Sequence, residues 1–408
     1  MLSDARTKPS KLQSVREMKN FGKRVILRVD FNVAFVKGKV EDEYKIDMAL
    51  PTIQLLLKNK CQIVLLSHFG RPEGRRVKAM SLMPVYKILR AKLSDATMRF
   101  IGDKIDARLV AKVKNLKEQI VFLENIRFDK REDKNDKSLA RLLAAMGEVY
   151  VNEAFAACHR ANASTVGIAK LLPSFAGLHL DKEVNYLSRA LKPKKPAMAL
   201  IGGAKVSTKF KVLKNFLKIY DKVMLGGGLA TTFLAAKGYA VGDSLFEKSE
   251  LGRARRMLSN KRLLLPLDVV ISDGAQTMAK VMLVGRDKKL CEKNEKILDI
   301  GPLTVRRYAE QIRKAQTIIW AGPVGLIECP RFRHGTIALA RLIGARASGK
   351  AIGIAGGGET LYAIHLSKMG RYYDFISTGG GAMLEFLEGR KLPGIEVLKH
   401  RSKTAPTF

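Results

Sequence analysis

The chain has 408 residues, with 74 Lys and Arg against 38 Asp and Glu, a formal charge of +36 and 47% hydrophobic residues. That length predicts two or three domains, and the apolar content is enough for real cores. No apolar run approaches a membrane span and no membrane partner is expected, although the positive field attracts anionic ligands, nucleic acid and acidic membrane surfaces alike.

Strand-like runs alternate with helix-like stretches. In the first half, strands are expected at 25–33, 62–68, 98–103, 120–125 and 148–153. In the second half they are expected at 197–203, 222–228, 263–272, 316–322, 351–357 and 375–378. Most are continuous Val/Ile/Leu runs, which suit strands buried on both faces in parallel sheets. The alternation predicts α/β architecture: two doubly wound, Rossmann-like domains. Ligands then bind beyond the carboxyl ends of the strands. Asp181–Leu187 reads as a helix ended by Lys192-Pro193-Lys194-Lys195-Pro196. It is the expected hinge element between a domain of residues 1–183 and a domain of residues 184–392.

The residues at those strand ends differ between the halves. Arg28-Val29-Asp30-Phe31-Asn32 alternates, so Arg28, Asp30 and Asn32 are predicted to share one strand face. Three polar groups there need partners or a ligand, and for Arg28 an internal Arg–Asp pair is the plain alternative. His68, Arg71, Arg127, His159 and Arg160 follow three further strands, a concentration of cations suited to a small polyanion. In the second half, glycines take these places. Gly202-Gly203-Ala204-Lys205-Val206-Ser207-Thr208-Lys209 follows a strand and opens a helix, and Lys205 and Lys209, four apart, are predicted on one helical face. Gly356-Gly357-Gly358-Glu359-Thr360 and Ser377-Thr378-Gly379-Gly380-Gly381-Ala382 repeat the strand–glycine–helix pattern, which aims backbone amides at an anion. Glu359 suits Mg²⁺ carried on nucleotide phosphates, although an acid in a first helical turn is also stabilised by the helix dipole. Gly344–Ala351 imitates a P-loop, but it follows a helix, precedes a strand and lacks the Ser/Thr, so it is read as a loop.

The first three residues of the chain and their neighbours to Arg6 lack the apolar core of a signal peptide. Cys61, Cys158, Cys291 and Cys329 have neither metal-type nor redox-type spacing, and reduced thiols with a cytoplasmic location are expected. The basic residues are spread along the chain and no aromatic–basic platform is present. Non-specific polyanion binding is therefore expected, and specific nucleic-acid recognition is not.

Taken together, Arg28–Val33, Ser67–Pro72, Leu123–Phe128, His159-Arg160, Gly202–Ser207, Trp320–Gly325 and Ser377–Ala382 resemble the phosphoglycerate kinase family, in its bacterial, here unusually basic, form. The resemblance runs from about Val25 to Leu398. It implies two α/β lobes with a substrate cleft between them, a carboxyl-terminal segment (393–408) returning to the first lobe, hinge closure, and a monomer. It implies reversible phosphoryl transfer from 1,3-bisphosphoglycerate to Mg-ADP, giving 3-phosphoglycerate and ATP. By motif, Asp30, Asn32, Lys45, His68, Arg71, Arg127 and Arg160 would bind the glycerate ligand. Lys205, Lys209, Gly226, Gly325, Glu328, Gly357, Gly358, Glu359 and Thr360 would bind nucleotide, with Glu359 beside the metal. Lys45, Lys205, Gly358 and Gly381 would stabilise the moving phosphoryl group, with Gly380 contributing an amide. Lys45 stands where the family has an arginine, Glu359 where it has an aspartate, Ala321 where it has an asparagine and Asn162 where it has a histidine. Glu153 and Thr208 likewise replace aspartates. A protein of this fold that chiefly binds RNA or another polyanion, and one acting on a different acyl phosphate, stand as alternatives.

Overall fold

The computed structural model of the chain describes residues 12–19, 22–36, 39–285 and 287–399. Two compact units emerge, Met1–Asn185 with Lys391–Phe408, and Tyr186–Arg390. Among the described residues no helix is long and apolar enough to cross a membrane.

The first unit is built on β1 (Arg24–Arg28), β2 (Gln62–Leu66), β3 (Met98–Ile101), β4 (Ile120–Leu123), β5 (Val149–Asn152) and β6 (Ser174–Ala176). They form one sheet in the order β3-β4-β2-β1-β5-β6, with every neighbouring pair parallel. Val25 of β1, at the centre, pairs with Ile63 on one side and Val149 on the other. The crossovers include α1 (Tyr44–Lys58), α2 (Met83–Lys92), α3 (Ala107–Asn115) and α4 (Lys137–Ala144), and α5 (Leu178–Leu191) follows β6. Asp106 and Asp136 start α3 and α4 by accepting first-turn amides, Leu109 at 3.0 Å and Leu139 at 3.1 Å. Such caps satisfy donors that the helix leaves open. The core joins Val25 and Leu27 to Ile53, Leu56, Ile63, Leu65 and Phe122. Burial of each such side chain contributes roughly 1.5–3 kcal/mol.

The first strand is shorter than its pattern predicted. It ends at Arg28: Val29 N still donates to Leu66 O at 2.9 Å, and beyond it side chains capture the amides. Phe31 N donates to Ser67 Oγ at 2.9 Å and Asn32 N donates to Asp30 Oδ1 at 3.2 Å. This competition between side chain and ladder is the usual way Ser and Asp end regular structure. Asp30 and Asn32 therefore lie on a loop and do not share a strand face with Arg28.

In the second unit, β7 (Ala197–Ile201), β8 (Lys222–Leu225), β9 (Leu263–Leu264), β13 (Thr317–Ala321), β14 (Ile352–Gly356) and β15 (Phe375–Ser377) form a second all-parallel sheet. A separate antiparallel sheet, described next, supplies β10 (Asp268–Asp273), β11 (Lys280–Leu283) and β12 (Glu295–Ile300). The parallel order is β9-β8-β7-β13-β14-β15 and the antiparallel order is β11-β10-β12. The run expected as one strand over 263–272 is thus two strands in two sheets, parted at Pro266, which cannot donate to a ladder. Helices α6 (Ser207–Ile219), α7 (Gly227–Ala236), α8 (Leu251–Met257), α9 (Pro302–Lys314), α10 (His334–Ala347), α11 (Gly358–Ser367) and α12 (Gly381–Leu387) complete the unit. The P-loop imitation is the end of α10 and the turn that precedes β14. Trp320, fully buried, packs with Ile318, Ile343 and Tyr308.

The last helix, α13 (Pro393–Lys399), belongs to the first unit, where Gly394 N donates to Cys158 O at 2.9 Å. Residues 400–408 of the expected returning segment lie outside the described residues.

Candidate active site

In the first unit the polar residues collect where the sheet logic predicts, beyond the carboxyl ends of β1, β2, β4 and β5. Lys45, in the first turn of α1, donates to Asp30 Oδ2 at 2.7 Å and to Asn32 O at 3.1 Å. Asn32 Oδ1 accepts Gly70 N at 3.0 Å, and Arg127 Nη1 donates to Gly70 O at 2.8 Å. Lys45, Asp30, Asn32, the His68–Arg71 loop and Arg127 are thereby one connected set. Burial would raise the Asp30 carboxyl, but Lys45 and His68 outweigh it and hold it down at about 2. Arg127 is held by Asp133 at 3.5 Å. Arg160 is exposed, with Nε donating to His159 Nε2 at 3.2 Å, and Arg71 is exposed. Exposure leaves both guanidinium groups within reach of a ligand.

Arg28 departs from its expected alternative. It is 2% exposed, and among the described residues it pairs with no aspartate. Nε donates to Ser164 Oγ at 2.9 Å and Nη2 lies 3.0 Å from His68 Nδ1. The partner of Asp30 is Lys45.

In the second unit each glycine cluster follows a strand of the parallel sheet. Gly203 has φ +86°, and a Cβ there would sit 2.8 Å from Glu359 Oε2. Gly322 has φ +94°, and its N donates to Thr360 Oγ1 at 2.7 Å. Gly357 and Gly380 also take positive φ, at the starts of α11 and α12. A residue with Cβ is strained in this backbone region, and without one the chain approaches closely. The Gly322, Gly357 and Gly380 turns border a cavity of about 700 Å³ lined by Lys205, Lys209, Gly357, Gly358, Glu359, Gly380 and Gly381. Lys211 and Arg390 line it too; in a chain this basic, nothing in the sequence separates them from ordinary surface cations. The first amides of α11 have no acceptor within the helix, which makes such an end attractive to anions.

Lys205 and Lys209 reach this cavity differently from the prediction. Lys205 precedes α6 and is exposed; only Lys209 is helical. Lys209 is 7% exposed and its ammonium donates to Gly202 O. Burial draws it down to about 8, against the nearby Glu359 carboxylate and with the Lys205 charge. Thr360 is fully buried, so its hydroxyl braces the Gly322 turn.

A smaller cavity of about 310 Å³ has mainly apolar walls, among them Leu245, Val269, Val324 and Ile327. Gly227, Gly325, Glu328 and Asp299 also line it, and Glu359 borders both cavities. Gly226 starts α7 beneath it, its N donating to Ile201 O at 3.0 Å. Asp299 was not anticipated. Its oxygens accept Ile300 N at 2.8 Å and Gly335 N at 2.9 Å, and burial raises its carboxyl to about 7. A basic cavity thus lies next to a mainly apolar one, with Glu359 in the wall of both; charged and apolar walls side by side suit a ligand with a polar and an apolar part.

Comparison with known proteins decides the matter. The family model for phosphoglycerate kinase matches residues 15–390. The chain belongs to the phosphoglycerate kinase family. The phosphoglycerate kinase of Chloroflexus aurantiacus is 42% identical over 399 residues, spanning 95% of this chain and 98% of that protein. That of Caulobacter vibrioides is 42% identical over 386 residues, spanning 93% and 97%. Among solved structures, phosphoglycerate kinase from Coxiella burnetii matches with TM-score 0.83 at 39% identity, covering 96% of this chain and all of that one. The Pyrococcus horikoshii enzyme matches with TM-score 0.83 at 29% identity, covering 95% and 98%. The chain is accordingly a phosphotransferase with the two-sheet α/β fold of phosphoglycerate kinases.

Among the described residues no three His, Cys, Asp or Glu side chains gather to hold a metal ion. Glu359 is one exposed carboxylate at the mouth of a lysine-lined cavity. That donor set fits Mg²⁺ arriving on phosphates and keeping several waters, with one protein oxygen.

Proposed function

We propose that the first unit binds 1,3-bisphosphoglycerate, the second binds Mg-ADP, and the phosphoryl group passes directly between them to give 3-phosphoglycerate and ATP. The observation that carries this reading is the 700 Å³ cavity, in which buried Lys209 and exposed Lys205 face the glycine-capped starts of α11 and α12. Lys205, Gly358 and Gly381 stabilise the transferring group, and Gly380 adds a backbone amide. Lys209, Gly357 and Thr360 shape the phosphate site. Glu328 meets the ribose, and Gly226 and Gly325 leave room for the base. Glu359 holds Mg²⁺, whose chemistry is to neutralise phosphate charge. Asp30, Asn32, His68, Arg71, Arg127 and Arg160 bind the three-carbon acid. Lys45 serves with a single ammonium where the family arginine has a planar fork.

An acyl phosphate is already activated and the attacking oxygen belongs to ADP. No general base is required, only positioning and charge stabilisation. The chain's cations and amide donors match that demand. We further propose that it acts as a cytoplasmic monomer. RNA is bound without sequence preference, through counterion release that weakens steeply with salt.

The direct test is ATP formation from 1,3-bisphosphoglycerate and Mg-ADP, with Lys45→Arg assayed beside the wild type. Robust wild-type turnover supports the reading and shows that lysine suffices. Activity in Lys45→Arg alone would mean a sound but weakened site. Inactivity in both would refute it.

A further inference from the structure

The buried polar groups beneath the end of β1 have a direction. Arg28 Nε donates to Ser164 Oγ at 2.9 Å, and Ser164 Oγ donates onward to Glu132 Oε1 at 2.5 Å. Ser164 N also donates to Glu132 Oε2 at 2.9 Å. Glu132 and Ser164 are as buried as Arg28, with exposures of 1% and 0%. At the other end of the guanidinium, Nη2 meets His68 Nδ1 at 3.0 Å. A guanidinium has only donors. That contact therefore exists in one sense alone: Nδ1 accepts, and the proton of the neutral ring sits on Nε2.

The surroundings of the ring agree. His68 is faced by Arg28 on β1, Asp30 on the loop after β1, Arg127 in the turn after β4 and Lys45 in α1. Burial, then Arg28, hold its pKa well below 6.5, with Asp30 opposing and Arg127 and Lys45 adding to the effect. Asp30 Oδ1 is 4.0 Å from Nδ1, beyond hydrogen-bond reach. Among the described residues Nε2 has no protein partner, although His68 is only 6% exposed. The Nε2 atom keeps some exposure of its own, so its N–H is open to water or to the oxygen of a ligand.

We infer that Arg28 is a positioning residue: its Nη2–H fixes His68 as the Nε2–H tautomer, and Glu132 steadies the guanidinium through Ser164. The ring then offers a substrate oxygen one neutral, directed donor among several cations. This assignment rests on the reading of His68 as a glycerate contact.

The test uses ¹⁵N NMR of histidine-labelled full chain without ligand, with the His68 signals identified by their loss in His68→Gln. In the wild type, Nδ1 is expected to be unprotonated and Nε2 protonated from pH 8 to pH 5. Arg28→Met is expected to give a mixture of tautomers. Glu132→Gln, which preserves volume, serves if Arg28→Met does not fold, and is expected to give partial mixing. Glu132→Gln should also raise KM for 3-phosphoglycerate roughly tenfold or more, as for a weakened hydrogen bond to a charged ligand, with KM for ATP unchanged. A proton on Nδ1 in the wild type, or wild-type tautomers in both variants, would overturn the inference. If the tautomer is as expected but 3-phosphoglycerate leaves the Nε2 signal unmoved, the ligand reading fails and takes the positioning role with it. The Arg28–His68 coupling would then survive as a feature of the fold alone.

Discussion

Replacing Lys209 by methionine should stabilise the second unit while damaging nucleotide binding. Lys209 is 7% exposed and burial draws its ammonium from 10.5 to about 8. Each pKa unit is about 1.4 kcal/mol, so keeping this charge costs the fold roughly 3 kcal/mol at neutral pH. Methionine of similar length removes that cost and forfeits the bond to Gly202 O, a loss of about 1 kcal/mol. The net expectation is a gain of roughly 2 kcal/mol at pH 7. Between pH 8 and pH 10.5 the unfolded lysine binds a proton that the folded one has lost, so wild-type stability rises with pH there. The advantage of Lys209→Met should therefore be full below pH 8 and fade as pH climbs towards 10.5. Trp320, the single tryptophan, is fully buried in this unit and donates Nε1–H to Gly322 O at 2.7 Å. Its fluorescence during urea unfolding reads the unit directly. Nucleotide affinity should fall about 10- to 100-fold, as for a lost charged hydrogen bond. A variant less stable than wild type at pH 7, or a difference indifferent to pH, would refute the reasoning.

Three further outcomes are expected. Lys45→Met should cost the first unit on the order of 2 kcal/mol, because burial pushes the Asp30 carboxyl up and Lys45 is the largest of the groups that hold it at about 2. A depressed carboxyl contributes stability above its unfolded pKa and loses it in acid, so hydrogen exchange of β1 amides should separate variant from wild type at pH 6 and converge between pH 4 and pH 2. Arg71→Ala and Lys205→Ala, both at exposed positions, should leave Tm within about a degree or two yet cripple turnover; near-normal kinetics in either would undo its assignment. Gly322→Ala should destabilise the second unit and abolish nucleotide binding, because φ is +94° and a Cβ would sit 2.6 Å from Gly202 C; a thermal melt and a nucleotide titration check it.

Much of the architecture is legible in the sequence. Apolar runs such as Val149–Asn152 and Ala197–Ile201 announce strands buried on both faces, and Gly357 and Gly380 mark turns that need positive φ. Boundaries were less legible. The strand at Val25 stops at Arg28; beyond it Ser67 Oγ takes the Phe31 amide, and Ser67 comes from another strand end. The exposed pattern of β11, Lys280–Leu283, carries little apolar periodicity, so the antiparallel sheet was not foreseen.

The candidate site divides in the same way. Residue types and their placement after strands pointed to anion binding, since phosphate needs glycine backbones and cation forks whatever the fold around them. Which charged groups meet is another matter. Lys45 with Asp30, Arg28 with His68 and Ser164, and Lys209 with Gly202 are pairings across 7 to 136 residues. Local periodicity constrains neighbours a turn or a pleat apart. Partners brought together by sheet order and crossovers, and the protonation states they impose on one another, exist only once the chain has folded.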